Sequence, residues 1–128
     1  MSKILDTTVL VDIIRRKEVA LDYVDSVKKA EGVPRLSVVT SMELVIGCRD
    51  KNEVRKVEKL LADYDMLDIT PLIGRKAYEL ISRFSKSHGL VIPDALIAAT
   101  ALVENAVLVT SNIRHFLMIE GLRLEKPY

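Results

Sequence analysis

The 128-residue chain has one cysteine, no tryptophan and no glutamine. The lone Cys48 excludes a disulfide framework and any thiolate cluster for zinc. No apolar run approaches the roughly 20 residues that span a bilayer, so no membrane association is expected. The start, Met1-Ser2-Lys3-Ile4-Leu5-Asp6, places an acid where a signal peptide would carry its apolar stretch. A cytoplasmic location is therefore the expectation. A large excess of one charge is also missing. Nineteen basic residues against eighteen acidic ones leave a net charge of +1. Bulk attraction to nucleic acid is excluded, and any such ligand would need a local patch or a metal site.

Apolar residues make up 49% of the chain and charged residues 29%. That is enough to fill a core and to solvate the outside, so disorder is excluded. The length suits one domain, residues 1–128, with no linker, repeat or low-complexity tract. Short β-branched runs alternate with helical stretches. Strands are expected at Lys3–Leu5, Arg35–Val39, Met66–Thr70, Ala106–Thr110 and Leu122–Glu125. Helices are expected at Thr7–Arg16, Glu18–Ala30, Ser41–Arg49, Glu53–Tyr64, from Pro71 to about Gly89, and at Asp94–Glu104. Asn112–Ile119 reads as a turn or short helix. The alternation predicts an α/β fold, a mainly parallel central sheet of four to five strands flanked by helices on both faces.

Four polar residues follow or flank apolar elements: Asp6, Glu43, Asp94 and Asn112. Each has a purely structural reading. Asp6 can cap the helix it precedes. Thr40 with Glu43 spells a capping box. Pro93-Asp94 suits a first helical turn, and Asn112 can cap a turn. Together they read differently. The carboxyl ends of parallel strands open onto one edge, where ligands bind. Acids gathered there repel unless something positive sits among them, and a hard divalent cation, Mg²⁺ or Mn²⁺, would neutralise them.

These residues carry a resemblance. The segments Leu5-Asp6-Thr7-Thr8, Glu43 after the second strand, Pro93-Asp94-Ala95-Leu96-Ile97 and Thr110-Ser111-Asn112-Ile113-Arg114-His115-Phe116 resemble the PIN-domain family. Within it the chain is most similar to the VapC toxins of prokaryotic toxin–antitoxin pairs. The resemblance runs over essentially the whole chain and rests on the order of its four motifs. It implies a PIN-like fold and a metal-dependent endoribonuclease, dimeric and restrained by an antitoxin. It also implies that Asp6, Glu43, Asp94 and Asn112 form the catalytic centre. Asp6 and Asp94 would be the metal ligands there, with Glu43 and Asn112 as further candidates. Asn112 stands where many members carry Asp, so it brings an amide oxygen without charge. Thr110 would support the site from beside it, and Arg114 with His115 would touch RNA or the antitoxin. Asp12 is expected on the surface or behind the ligands. Arg35, with nearby Arg and Lys residues, is expected on a solvated face. Ile46, Leu61, Leu67 and Leu72 are candidates for an exposed apolar contact surface.

Rival families are poorer matches. A phosphatase that starts with a strand and an Asp needs a second acid where this chain has Thr8. A phospho-receiver domain needs paired early acids and a late lysine, and both are missing. A housekeeping RNA-processing nuclease would share the same site. A non-catalytic PIN-like interaction module would not need its three acids.

Overall fold

The computed structural model describes residues 2–128. Five short parallel strands form one sheet: β1 (Lys3–Leu5), β2 (Arg35–Ser37), β3 (Asp65–Leu67), β4 (Val107–Val109) and β5 (Arg123–Glu125). Their order is β3-β2-β1-β4-β5, which puts β1 at the centre. Six helices connect them: α1 (Thr7–Ile14), α2 (Glu18–Glu31), α3 (Val38–Ile46), α4 (Lys51–Leu61), α5 (Pro71–His88) and α6 (Ile92–Val103). None is long and apolar enough to cross a membrane, among the described residues.

Alternation along the strands explains why both faces are covered. Successive strand side chains point to opposite faces. Ile4 and Leu108 are paired in register and pack with α5 and α6, against Ile73, Leu80, Ile97 and Ala98. Leu5 and Val109, the next pair, pack on the other side against Val9, Leu10, Val24, Leu44 and Val57. The result is the helix–sheet–helix architecture that the alternating sequence predicts. Helix α6 is buried on most faces because Ala95, Ala98, Ala99 and Ala101 let other backbones approach closely. Gly89 ends α5 in the left-handed conformation, φ 68°, which a residue without Cβ adopts at little cost.

Several expected boundaries move, and side-chain caps are the reason. Strand β2 stops at Ser37, two residues before the expected end at Val39. The Ser37 hydroxyl accepts the Val39 N–H and starts α3 there, overriding the β preference of Val38 and Val39. Thr40 and Glu43 therefore lie inside α3 and form no capping box. Strand β3 covers Asp65–Leu67 rather than Met66–Thr70, because Thr70 caps α5 through the Ile73 N–H. Asp50 likewise starts α4 earlier than expected.

Two surface expectations need correction. Leu61 is a core residue at 5% exposure, and Leu67 packs on the edge of the core. Ile46 and Leu72 are exposed, as expected, and so are Met42, Met66 and Ile69; Ile46 shares a groove with Met42 and Met66. Arg35 does not lie on a free solvated face. It pairs with Glu104 at the end of α6 and lies 3.8 Å from Asp65.

The central strands should dominate stability. Leu108→Ala removes a fully buried side chain from both strand and core, and is expected to cost about 2–5 kcal/mol. Val19→Ala on the exposed side of α2 should stay within about 0.5 kcal/mol of the parent. Urea unfolding midpoints check both.

Candidate active site

The carboxyl edge of the sheet is built first by backbone pairing. The Asp6 N–H donates to Val109 O at 2.8 Å, and the Thr110 N–H donates to Glu125 O at 3.0 Å. These bonds extend β1, β4 and β5 by one rung and place Asp6 beside Thr110. Asp6 occupies the cap position of α1, yet its carboxylate accepts no N–H from that helix. Instead Asp6 Oδ2 accepts the Thr110 hydroxyl at 2.7 Å and the Thr8 hydroxyl at 3.1 Å. Each hydroxyl in turn accepts a backbone N–H of the next turn. Asn112 N–H reaches Thr110 at 3.0 Å and Ser111 N–H reaches Thr8 at 3.2 Å. A hydroxyl both accepts and donates, so the two threonines relay the polarity of the turn onto one oxygen of a buried carboxylate. Asp6 is only 4% exposed.

Glu43 comes to the same edge from α3. The Thr7 hydroxyl donates to its Oε1 at 2.6 Å and lies 3.0 Å from the buried Thr40 hydroxyl. Thr7 and Thr8 are consecutive in α1, so they point about 100° apart and serve different acids.

Asp94 lies in the first turn of α6, behind Pro93. A three-residue connection joins the end of α6 to the start of the parallel strand β4. The helix must therefore begin at the carboxyl edge, where Asp6 and Glu43 stand. Burial pushes the Asp94 carboxyl above its usual range, and the Asp6 charge adds to this. His115, with Nδ1 3.5 Å from Asp94 Oδ2, opposes the shift, and the Glu43 charge reinforces it. Asn112 follows β4 in the turn that leads into a short 3-10 segment, Ile113–His115. Together with Ser111, Arg114, His115 and Lys126 it lines an open polar cavity of about 480 Å³.

The edge therefore carries three acids within electrostatic reach, plus an amide. Among the described residues, no three His, Cys, Asp or Glu side chains already stand as a closed metal-ligand set. Each acid is drawn to its own partner: Asp6 to Thr8 and Thr110, Glu43 to Thr7, and Asp94 to His115. The donor chemistry nevertheless suits a hard cation. It consists of carboxylate and amide oxygens on one edge, with mutual repulsion that a positive charge relieves.

Sequence reasoning missed Thr7, Thr8 and Thr40. The signal lay in Asp6-Thr7-Thr8, two hydroxyls directly after a strand-end acid. His115, expected to touch RNA or the antitoxin, lies with Nδ1 3.5 Å from Asp94 Oδ2. Asp12 lies behind the site, paired with Lys17 at 3.2 Å and accepting the Tyr128 phenol.

The PIN domain model matches residues 3–120. The chain therefore belongs to a known class, the PIN-domain family. It is 37% identical over 121 residues to Ribonuclease VapC10 of Mycobacterium tuberculosis, covering 94% of this chain and 90% of that protein. It is 34% identical over 128 residues to Ribonuclease VapC19 of the same species, covering 98% and 99%. Among solved structures, VapBC2 from Rickettsia felis bound to a promoter DNA fragment superposes with a TM-score of 0.80. That match has 25% identity and covers 98% of each chain. The similarity to VapC proteins read from the strand-end motifs therefore holds over the whole chain.

The raised carboxyl of Asp94 sets a pH dependence. An acid whose folded-state pKa is raised binds more protons folded than unfolded. Stability therefore falls as pH rises through that window. Metal-free Asp94→Asn is expected to melt higher than the parent at pH 7. The gap should close as the pH drops below the usual carboxylate range. Calorimetry in chelator measures this, and a lower melting temperature at pH 7 would mean that the His115 contact outweighs burial and repulsion.

Proposed function

We propose that this chain is a divalent-metal-dependent endoribonuclease, the toxin of a VapBC-type pair, acting on RNA in the cytoplasm. The observation that carries the reading is the placement of Asp6. A nearly buried carboxylate in the middle of the sheet edge is held through one oxygen by Thr8 and Thr110. Those bonds leave its other oxygen for a ligand. Asp94 faces the same edge, and its charge interacts with those of Asp6 and Glu43.

Asp6 and Asp94 would hold Mg²⁺ or Mn²⁺, with Glu43 and Asn112 supplying further oxygens. Such a cation neutralises a phosphodiester and acidifies water. The residues of the chain do the rest. Thr8 and Thr110 hold the Asp6 carboxylate fixed in place. Thr7 fixes one oxygen of Glu43 and leaves the other to orient or accept a proton from water. Asn112 adds an uncharged acceptor, which lowers the negative charge an incoming phosphate meets. Arg114 and His115 lie on the approach to the site, where they would contact RNA or the antitoxin.

Two surfaces fit the partners. A cleft of about 470 Å³ between α1, α3 and α4 is lined by Val11, Ile14, Leu44 and Val57 and opens on Thr7 and Glu43. An antitoxin segment with an apolar anchor there would bring a basic side chain to the acids. On α3, α4 and β3, a groove of about 630 Å³ includes Met42, Ile46 and Met66, and suits the two-fold contact of a homodimer.

Purified protein is expected to cleave RNA with Mg²⁺ or Mn²⁺ and to stop in chelator. Asp6→Asn should abolish cleavage while remaining folded by circular dichroism. Undiminished cleavage by Asp6→Asn would overturn the mechanism. Millimolar Mn²⁺ should also raise the melting temperature of the parent protein, since it binds only the folded edge, and this effect should vanish in Asp6→Asn. Light scattering at tens of micromolar should give twice the monomer mass.

A further inference from the structure

Residues 125–128 are anchored by side-chain contacts at both ends. Glu125, at the end of β5, accepts the Lys3 ammonium at 3.0 Å and the Tyr23 phenol. Three residues on, the Tyr128 phenol donates to Asp12 of α1. The Tyr23 and Tyr128 rings meet edge to face, with centroids 6.3 Å apart. Lys126 sits between these anchors. It is exposed and lines the same cavity as Ser111, Asn112, Arg114 and His115. His115 links that cavity to the acid centre, since it lines the one and its Nδ1 lies 3.5 Å from Asp94 of the other.

The charge pattern across this short span is uneven. The acid centre gathers the carboxylates of Asp6, Glu43 and Asp94. The cavity beside it carries the cations of Lys126 and Arg114, together with His115. Neither Lys126 nor Arg114 forms an ion pair with an acid of the described chain. A polyanion whose scissile phosphate lies at the acids needs its neighbouring phosphates held elsewhere, since three carboxylates repel them. Contacts of this kind fix the register of a nucleic acid strand without reading its bases.

We propose that Lys126 and Arg114 form a backbone clamp. It grips a phosphate of single-stranded RNA next to the one cleaved, and the Tyr128–Asp12 contact positions Lys126 for it. The inference rests on the ribonuclease reading and adds the C-terminal tail to the substrate site. It also gives Asp12 a task, as the anchor of the tail rather than a ligand. The opposite charge and open mouth of the cavity favour an extended polyanion. A groove with apolar anchors, as for a protein segment, lies instead beside α1 and α3.

The test is steady-state cleavage of a fluorescent single-stranded RNA oligonucleotide by the full chain in Mn²⁺, at several salt concentrations. Lys126→Ala is expected to raise KM several-fold with kcat within about twofold. It should also make the dependence of log KM on log salt shallower by about 0.7, as for one lost contact to a single strand. Lys126→Glu should raise KM further. Tyr128→Phe keeps the ring packing but removes the phenol donor, and should shift KM in the same direction by less. Melting curves check that each variant folds. An unchanged KM and salt slope in Lys126→Ala would overturn the clamp. So would a fall in kcat alone. Unchanged RNA kinetics with weakened inhibition by the neighbouring gene's product would also overturn it, and would make the cavity a protein contact. Parent protein that cleaves no RNA with either metal would remove the ribonuclease reading itself, and the clamp with it. A failure confined to Lys126 leaves that reading standing.

Discussion

The hydrogen bond from Thr110 to Asp6, 2.7 Å long and joining residues 104 apart in sequence, is the contact on which the site depends. It exists because β1 and β4 are neighbours in a parallel sheet, with Leu5 opposite Val109. Burying a carboxylate in the middle of a sheet is costly unless its charge is met by donors. The two threonine hydroxyls meet it, and the turn after β4 stands behind them through two backbone N–H groups. The same bonds therefore fix the Asp6 side chain, set the course of the chain toward Asn112 and His115, and leave one carboxylate oxygen uncommitted.

From that contact the rest of the edge follows by topology. A short connection from α6 into β4 obliges α6 to begin where β1 ends, and so delivers Asp94 to Asp6. The Ser37 cap begins α3 at the same edge and delivers Glu43. Three acids drawn together by the path of the chain repel one another, and at Asp94 this repulsion adds to burial, the larger cause of its upward shift. Stability and function pull in opposite directions here. Without a cation the arrangement costs folding free energy, and under the proposed function a bound cation would offset that cost.

The surface divides by chemistry in a way that matches the proposed partners. Apolar side chains cluster on α3, α4 and the edge strand β3, with Met42, Ile46 and Met66 open to solvent. Arg114 and Lys126 line the polar cavity at the turn after β4, and Arg15 and Lys56 lie along the cleft that opens on Glu43. A protein contact and an RNA path can thus occupy different sides of the acid centre. The near-zero net charge of the chain conceals this local separation.

The sequence by itself determined the layered α/β class and the strand and helix order, and it singled out Asp6, Glu43, Asp94 and Asn112 as polar residues beside apolar elements. Those properties follow from local patterns: β-branched runs, helical periodicity, and polar residues that flank strands and helices. It did not determine where β2 and β3 stop, because Val38, Val39 and Ile69 favour strands, and only the caps at Ser37 and Thr70 decide otherwise. Leu61 could not be told from a surface leucine, since α4 is amphipathic and the depth of each position depends on what packs against it. Nor did it distinguish a capping Asp6 from one facing the site, as both roles suit the same residue before a helix. Tertiary structure decided that question, because the competing donors are Thr110, which adjacency in the sheet brings from the far end of the chain, and Thr8, which the first turn of α1 aims at the same oxygen. The pinning of the tail by Asp12 and Tyr128 was equally invisible, because a hydrogen bond between side chains 116 residues apart leaves no local pattern to read.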